Sequence, residues 1–429
     1  MRVIQPPVLA RATRVAGACC VALAVGGCSN ATPTLTIEHS PSPAPQGSIV
    51  PQVYGTTYGV VMSWLEPRAD SGYAFRMASR HHNVWSGTRT IADSPDLIMF
   101  SADLPGLAEM PGGALLAYWQ HADRRTGDPY ATAIQVARST DEGRSWSTPI
   151  TPHRDGTAGQ HGFISAFPVP AGIGLVWLDA QQQRFVPPPS PNAKGAEWLG
   201  AIGLRATIID ANGHVASDQF IDPITCECCP TAAAATARGP VVVYRDRVTP
   251  DGVAPHDVRD DQGTVRDIHL VRLEHGEWTA PRRVHADNWV INACPDNGPA
   301  VDTRDEQLVV AWWTAANNKP RVSVAFSSDA GDHFTPAIPV DAGAPNGQVT
   351  VALMRDGRSA VVGWLEKGQT WARWVTADGT LGTPVALGAS PTRSRLPRWL
   401  AQADGVLATW TADEKGAHTV RVSQLVVSN

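Results

Sequence analysis

Apolar and polar positions along the chain fall into one recurring phrase. An apolar strand ends in Trp or Tyr seven times: Met62-Ser63-Trp64, Ala117-Tyr118-Trp119, Leu175-Val176-Trp177, Val242-Val243-Tyr244, Ala311-Trp312-Trp313, Val362-Gly363-Trp364 and Ala408-Thr409-Trp410. Before each phrase stands a segment that often ends in a turn, such as Met110-Pro111-Gly112-Gly113, Met354-Arg355-Asp356-Gly357 or Gln402-Ala403-Asp404-Gly405. After it comes a run of alternating polarity, as in Thr132 to Arg138, His269 to Leu273 and Arg321 to Phe326. Period-two alternation marks a strand with one face buried. Several copies then add an aromatic and a small hydroxyl residue, Trp85-Ser86, Trp146-Ser147, Trp278-Thr279 and Phe334-Thr335, which begin a fourth strand. Four short strands recurring every roughly 45 to 65 residues are the mark of a β-propeller. The expected fold is therefore all-β, with seven four-stranded blades. The last copy runs out after its third strand, Val420 to Val427, and Leu35-Thr36-Ile37-Glu38 is expected to supply the outer strand that closes the ring.

Two copies carry a sharper pattern at the turn after their third strand. Ser139-Thr140-Asp141-Glu142-Gly143-Arg144-Ser145-Trp146 and Ser327-Ser328-Asp329-Ala330-Gly331-Asp332-His333-Phe334 resemble the Asp-box hairpin of sialidase-like propellers. In such a hairpin the aspartate accepts turn amides, the glycine permits a positive φ and the aromatic packs back into the blade. Ser139, Asp141, Gly143, Trp146, Ser327, Asp329, Gly331 and Phe334 are thus structural positions. The resemblance covers nearly the whole chain beyond its first residues. It implies a sialidase-like propeller, for which six blades is the alternative to seven, with the active site on the face opposite the Asp-boxes. It also implies a glycan or small anionic ligand as partner. The family's catalytic parts are only partly matched. Phe75-Arg76-Met77-Ala78 is a superficial counterpart of its first arginine motif, and no tyrosine follows Tyr244 to serve as the late nucleophile.

Composition narrows the setting. Fifteen tryptophans, 38 glycines and 35 prolines suit many short strands joined by tight turns. The first residues hold Arg2, Arg11 and Arg14 with no acid, then the apolar run Val15 to Val25, which reads as a secretory signal. Val25-Gly26-Gly27-Cys28 resembles a bacterial lipobox, so the expected organisation is a signal peptide over 1–27, a lipidated Cys28 with a tether to 46, and a propeller over 47–429. Cys28 would anchor the protein to a lipid membrane of the bacterial envelope. Removing 1–27 takes the formal charge from −5 to −8, since three arginines and no acids leave. A mildly acidic chain without basic runs excludes nucleic acid as partner. No later stretch is long and apolar enough for a transmembrane helix, and a monomer is expected.

The unusual chemistry is concentrated between Cys226 and Asn297. Cys226-Glu227-Cys228-Cys229-Pro230 opens this stretch and Cys294-Pro295-Asp296-Asn297 closes it, with Arg245, Asp246, Arg247, Arg266 and Asp267 between. So many thiols, arginines and carboxylates cost too much desolvation to form ordinary core. In a propeller the connections into and out of blade 4, and its own second-to-third loop, open on the face away from the Asp-boxes, so these segments should meet at one mouth. Arg245, Arg247 and Arg266 would clamp an anion, with Asp246 or Asp267 as acid/base of a glycoside hydrolase. Asp296 and Asn297 join them as ligand-binding candidates. The position two after each repeated aromatic reads Glu66, His121, Asp179, Asp246, Ala315, Glu366 and Ala412, a polar ring around the central depression. His161 lies on the connection into blade 3. The thiols admit two readings. Four cysteines in an oxidising compartment form disulfides, with three possible connectivities, Cys226 or Cys228 to Cys294 among them. A Cys-x-Cys-Cys cluster also suits a soft metal such as copper(I), with His161 or His256 nearby. Calcium on Asp257, Asp260 and Asp261 is a third, weaker pattern.

Overall fold

The computed structural model describes residues 33–99, 103–125, 130–186, 197–248, 263–391, 397–403, 405–414 and 416–428, with backbone alone for 184–186 and 197–199. The signal-like segment 1–27, Cys28, His256 and the aspartates 257, 260 and 261 lie outside them.

Seven sheets are arranged as a seven-bladed propeller, with no α-helix among the described residues. Blade 1 is Ile49–Thr56, Gly59–Pro67, Tyr73–His81 and Arg89–Ser94; blade 3 is His161–Val169, Gly172–Asp179, Ile202–Asp210 and Gln219–Thr225. Blade 4 is Ala232–Thr236, Gly239–Arg245 and Ile268–Glu274, with a split outer strand at Glu277–Trp278 and Arg282–Arg283. Blades 5 and 6 run Ala300–Pro339 and Pro345–Ala389. Blade 2 departs from the expected four strands: after Gly106–Glu109, Leu115–Ala122 and Thr132–Ser139, its outer strand shrinks to a single bridge between Val136 and Ile150. Innermost strands of neighbouring blades touch all the way round.

Closure follows the expected route. Thr34–Ser40 pairs antiparallel with Ala417–Ser428, in register from Thr34 with Ser428 to Ser40 with Val422, as the fourth strand of blade 7. The ring therefore begins at Thr34 rather than at residue 47. The segment that follows also lies against it, with Trp85 Nε1 donating to the Pro41 carbonyl at 3.1 Å and Gly47 N to the His418 carbonyl at 2.9 Å.

The alternation of each strand sends its side chains to two different interfaces. The buried apolar residues accordingly separate into seven clusters, one for each pair of adjacent blades. Trp64, Trp177, Trp312, Trp364 and Trp410 of the repeated phrase are fully or almost fully buried in these layers. Burial of large apolar side chains between sheets is the main stabilising term here. The aromatic–hydroxyl pairs have a shared role as well. Ser86, Ser147, Thr279 and Thr335 each donate their amide to a third-strand carbonyl, and the hydroxyl of each accepts the third-strand amide of Ser79, Arg138, Arg272 or Phe326 at 3.0–3.1 Å.

The turns at 139–146 and 327–334 have matching bonds. The Ser139 and Ser327 hydroxyls accept the Gly143 and Gly331 amides at 2.8 and 2.9 Å, and Asp141 and Asp329 accept the amides of Ser145 and His333 at 2.9 Å. Gly143 and Gly331 have φ of 82° and 89°, which a side chain would strain. Both turns leave third strands, on the face opposite the blade 4 mouth.

Candidate functional site

Three segments knit together at the front of blade 4. Cys226 N donates to the Arg245 carbonyl at 3.0 Å, Asp246 N to the Asp267 carbonyl at 3.0 Å, and Arg266 N to the Trp289 carbonyl at 2.8 Å. A disulfide joins Cys228 to Cys294, tying the connection into blade 4 to the connection out of it. The two turns approach so closely that a Cβ on Gly298 would lie 2.0 Å from the Pro230 carbonyl oxygen. The expected convergence is present.

Within it, the arginines do not form an anion clamp. Arg245 is 1% exposed and donates from Nε to the Asn297 carbonyl at 2.9 Å, from Nη1 to the Arg266 carbonyl at 2.5 Å and from Nη2 to the Trp313 carbonyl at 2.7 Å. Its guanidinium also lies over the Trp289 ring. It is a tie between blades, because the Asn297 and Arg266 carbonyls are buried, the Trp313 carbonyl partly so, and each needs a donor. Arg266 is fully buried, with Nε on Thr264 Oγ1 at 2.8 Å and Nη1 at 3.1 Å from Cys226 Sγ and 3.2 Å from Glu227 Oε2. Arg247 Nη1 reaches the same Glu227 oxygen at 3.3 Å. Asp267 is likewise structural: its carboxylate accepts the amides of Asn288 and Trp289 at 3.0 and 3.1 Å and faces Arg283 at 3.5 Å. Asn297 Oδ1 accepts the Gln348 amide at 2.6 Å and the Asp296 carbonyl accepts Gln348 Nε2 at 2.7 Å, so both residues join blade 4 to blade 6.

Asp246 is different. It is almost buried, takes the Arg247 amide at 2.7 Å, and has His269 Nδ1 at 3.4 Å. Burial, then the negative charge of Asp222, pushes its carboxyl up to about 8. Asp222 Oδ2 accepts the Tyr244 hydroxyl at 2.6 Å; burial, with the Asp222 and Asp246 charges, pushes that phenol well above its ordinary value. Burial lowers His269. In the cluster of Asp222, Tyr244, Asp246 and His269, burial thus favours the neutral forms of the Asp246 carboxyl, the Tyr244 phenol and the His269 imidazole.

The remaining thiols, Cys226 and Cys229, are free and buried. Burial raises the Cys226 thiol, but the hydrogen bond from Cys229 and the charges of Arg266 and Arg245 outweigh it and bring the group below its ordinary value. Cys229 is pushed well up by burial and by Cys226. The sulfurs of Cys226, Cys228 and Cys229 all lie within 4.8 Å of one another.

The polar ring has another role. Glu66, Asp179 and Glu366 accept the indole N–H of Trp64, Trp177 and Trp364, each at 2.9 Å. An acid two residues after a buried tryptophan satisfies that tryptophan's donor, so these residues are indole caps rather than a ligand ring. His121 hydrogen-bonds the neighbouring Ala122 carbonyl. His161 lies in a separate group, 3.0 Å from Asp155 and 3.8 Å from Asp179, with its ring stacked on His153 at 3.8 Å. Burial lowers His161, but the Asp155 hydrogen bond and the Asp179 charge outweigh it and raise the imidazole. His153 Nε2 accepts the Ile134 amide, so its Nδ1 carries the proton toward Asp155 and has no lone pair for a metal. His161 is therefore an ion-pair partner, not a ligand for the cysteines.

Glu227, Asp222, Tyr244 and His269 were missed as site residues. Tyr244 had a signal: it is the one tyrosine ending the repeated phrase, where six copies have tryptophan. A cavity of about 100 Å³ occupies the central channel, lined by Gln52, Tyr54, Tyr118, Ser165, Thr231 and Arg398 among others.

No family model and no curated protein matches the chain. Solved structures similar to it include a Trypanosoma rangeli sialidase in complex with the inhibitor DANA, at 12% identity and TM-score 0.41, covering 80% of this chain; this chain spans 57% of that protein. A mutant of NanB sialidase from Streptococcus pneumoniae is 9% identical with TM-score 0.42, covering 92% of this chain and 94% of that one. A PL25 ulvan lyase is 12% identical with TM-score 0.42 and 77% coverage of each chain. At these identities the likeness is one of fold.

Proposed function

We propose that the protein is a lipid-anchored envelope propeller that binds copper(I) through Cys226 and Cys229. The observation that carries this reading is the pair of free, buried thiols held together beside Arg266 while Cys228 is engaged by Cys294. Thiolates are soft ligands and select copper(I), which accepts a coordination number as low as two. Zinc fits less well, because its sites call for four ligands and the described thiols free here are two. Two thiolates with one monovalent ion leave a single negative charge, which Arg266 and Arg245 offset. The test is competition with a copper(I)-selective chelator under anaerobic conditions. Wild type should hold the ion and Cys226→Ser with Cys229→Ser should not; equal uptake by both would refute the assignment. Anchoring rests on Val25-Gly26-Gly27-Cys28. Cys28→Ala should free the protein from membranes, and a wild type already soluble without detergent would overturn it.

A second reading is favoured by Asp246 alone. A carboxyl still protonated near neutral pH is what a glycoside hydrolase needs as general acid. Turnover of a fluorogenic anionic glycoside, lost in Asp246→Asn, would support it; no turnover across a panel would exclude it.

A further inference from the structure

Copper binding leaves one contact unused. Cys226 Sγ lies 3.9 Å from Cys228 Sγ, so a free sulfur already touches a sulfur of the disulfide. The three sulfurs involved differ in access. Cys226 is fully buried, Cys228 is half-buried and Cys294 is exposed. Their supports differ too. The Cys226 amide is held by the Arg245 carbonyl and its sulfur by Arg266, whereas the described backbone of 292–295 belongs to no strand and the ties to blade 6 begin only at Asp296. Cutting the disulfide would leave Cys228 with its neighbours in the mouth and Cys294 on a surface loop.

We propose that Cys226 exchanges with the Cys228–Cys294 disulfide and so delivers a reactive thiol to the surface at Cys294, where it takes an external low-molecular-weight disulfide as substrate. The Cys226 thiolate attacks Cys228 Sγ; a Cys226–Cys228 bond forms, the Cys228–Cys294 bond breaks, and its electron pair leaves on Cys294 as thiolate. No net oxidation occurs in this step. The Cys294 thiolate then attacks the external disulfide, forming a mixed disulfide at Cys294 and releasing the other half as thiolate. The external disulfide is the oxidant, and the protein's one thiol equivalent from Cys226 is what becomes oxidised. Arg266 Nη1, at 3.1 Å from the attacking sulfur, holds it in place beside the disulfide.

The inference does not depend on copper. It is read in copper-free protein, so failure of copper uptake leaves it standing, and the reverse also holds. Folded wild-type protein without reductant is treated with iodoacetamide and mapped by peptide mass spectrometry. Exchange predicts label on Cys294 together with a Cys226–Cys228 bond; a static staple predicts an intact Cys228–Cys294 bond and no label there. In Cys226→Ser, matched for unfolding midpoint, label on Cys294 should fall to background, and unchanged labelling would overturn the proposal. Should that variant not fold, oxidised glutathione is applied to wild type instead. A glutathione adduct mapped to Cys294 supports the relay, and an adduct absent, or confined to Cys226 or Cys229, refutes it.

Discussion

Replacing Asp246 by Asn tests whether the mouth of blade 4 holds a neutral acid. Moving a carboxyl from its ordinary 3.8 to about 8 corresponds to about 6 kcal/mol of unfavourable ionisation. Water entry and side-chain rotation relieve part of this, so the expected gap is ~2–3 kcal/mol. Below pH 3.8 the carboxyl is protonated in both folded and unfolded chains and gives no slope. Between 3.8 and about 8 the folded chain keeps a proton that the unfolded chain has lost, so this group makes stability fall as pH rises, and the loss levels off above 8. Asn is neutral throughout and retains an oxygen for the Arg247 amide. The assay is urea unfolding of both proteins from pH 4 to 9. Asp246→Asn should match wild type near pH 4 and exceed it by ~2–3 kcal/mol at pH 8.5. His269, lowered by burial, acts in the opposite direction, its stability being lost as pH falls below 6.5; because it touches Asp246, the difference is read at pH 8.5, above that range. Parallel pH profiles, or a variant less stable at pH 8.5, would refute the reasoning.

Other perturbations follow from the ties around this mouth. Arg245→Met strips the buried carbonyls of Asn297 and Arg266, and the partly buried one of Trp313, of their donor and should cost about 3–5 kcal/mol in urea unfolding; an arginine kept only for ligand binding would leave the midpoint unchanged. Glu366→Ala removes the acceptor of the Trp364 indole and of the Ala342 and Ala344 amides, and should cost about 3 kcal/mol by the same measurement, with no loss meaning that these donors find other partners. Deleting 34–40 should lower the calorimetric midpoint, since it exposes the edge of Ala417–Ser428; an unaltered midpoint would argue against closure as a stabilising contact.

The architecture was legible because the propeller repeats its own instructions. A buried tryptophan, a period-two strand and a Ser or Thr that latches the outer strand recur in the chain, and each has a local physical cause. Blade 2 shows the limit of this, since Trp146-Ser147 announces a fourth strand that pairs only through Ser147 and Ile150. At the site, sequence placed the right segments together but could not say which polar groups would be consumed by the backbone. Arg245 and Asp267 have the composition of a binding site and are occupied by carbonyls and amides, a distinction that only the path of three loops determines. Glu66, Asp179 and Glu366 were visible as a ring, yet their partner stood two residues earlier in each phrase. Sequence leaves all three connectivities of the four cysteines open, because spacing alone does not rank the thiols of one tight turn as partners for Cys294.

The pairing of Thr34–Ser40 with Ala417–Ser428 also sets an order of events during synthesis. His39 Nδ1 meets the Ser423 hydroxyl at 3.0 Å across a sequence separation of 384 residues. Six blades emerge before the partner strand exists, and for that interval both faces of an open arc expose apolar layers that the finished ring hides. Contacts of such separation form late and slowly. The nascent chain is therefore most prone to aggregate while those two layers stand open, and a chaperone that shields them should raise the yield of folded protein.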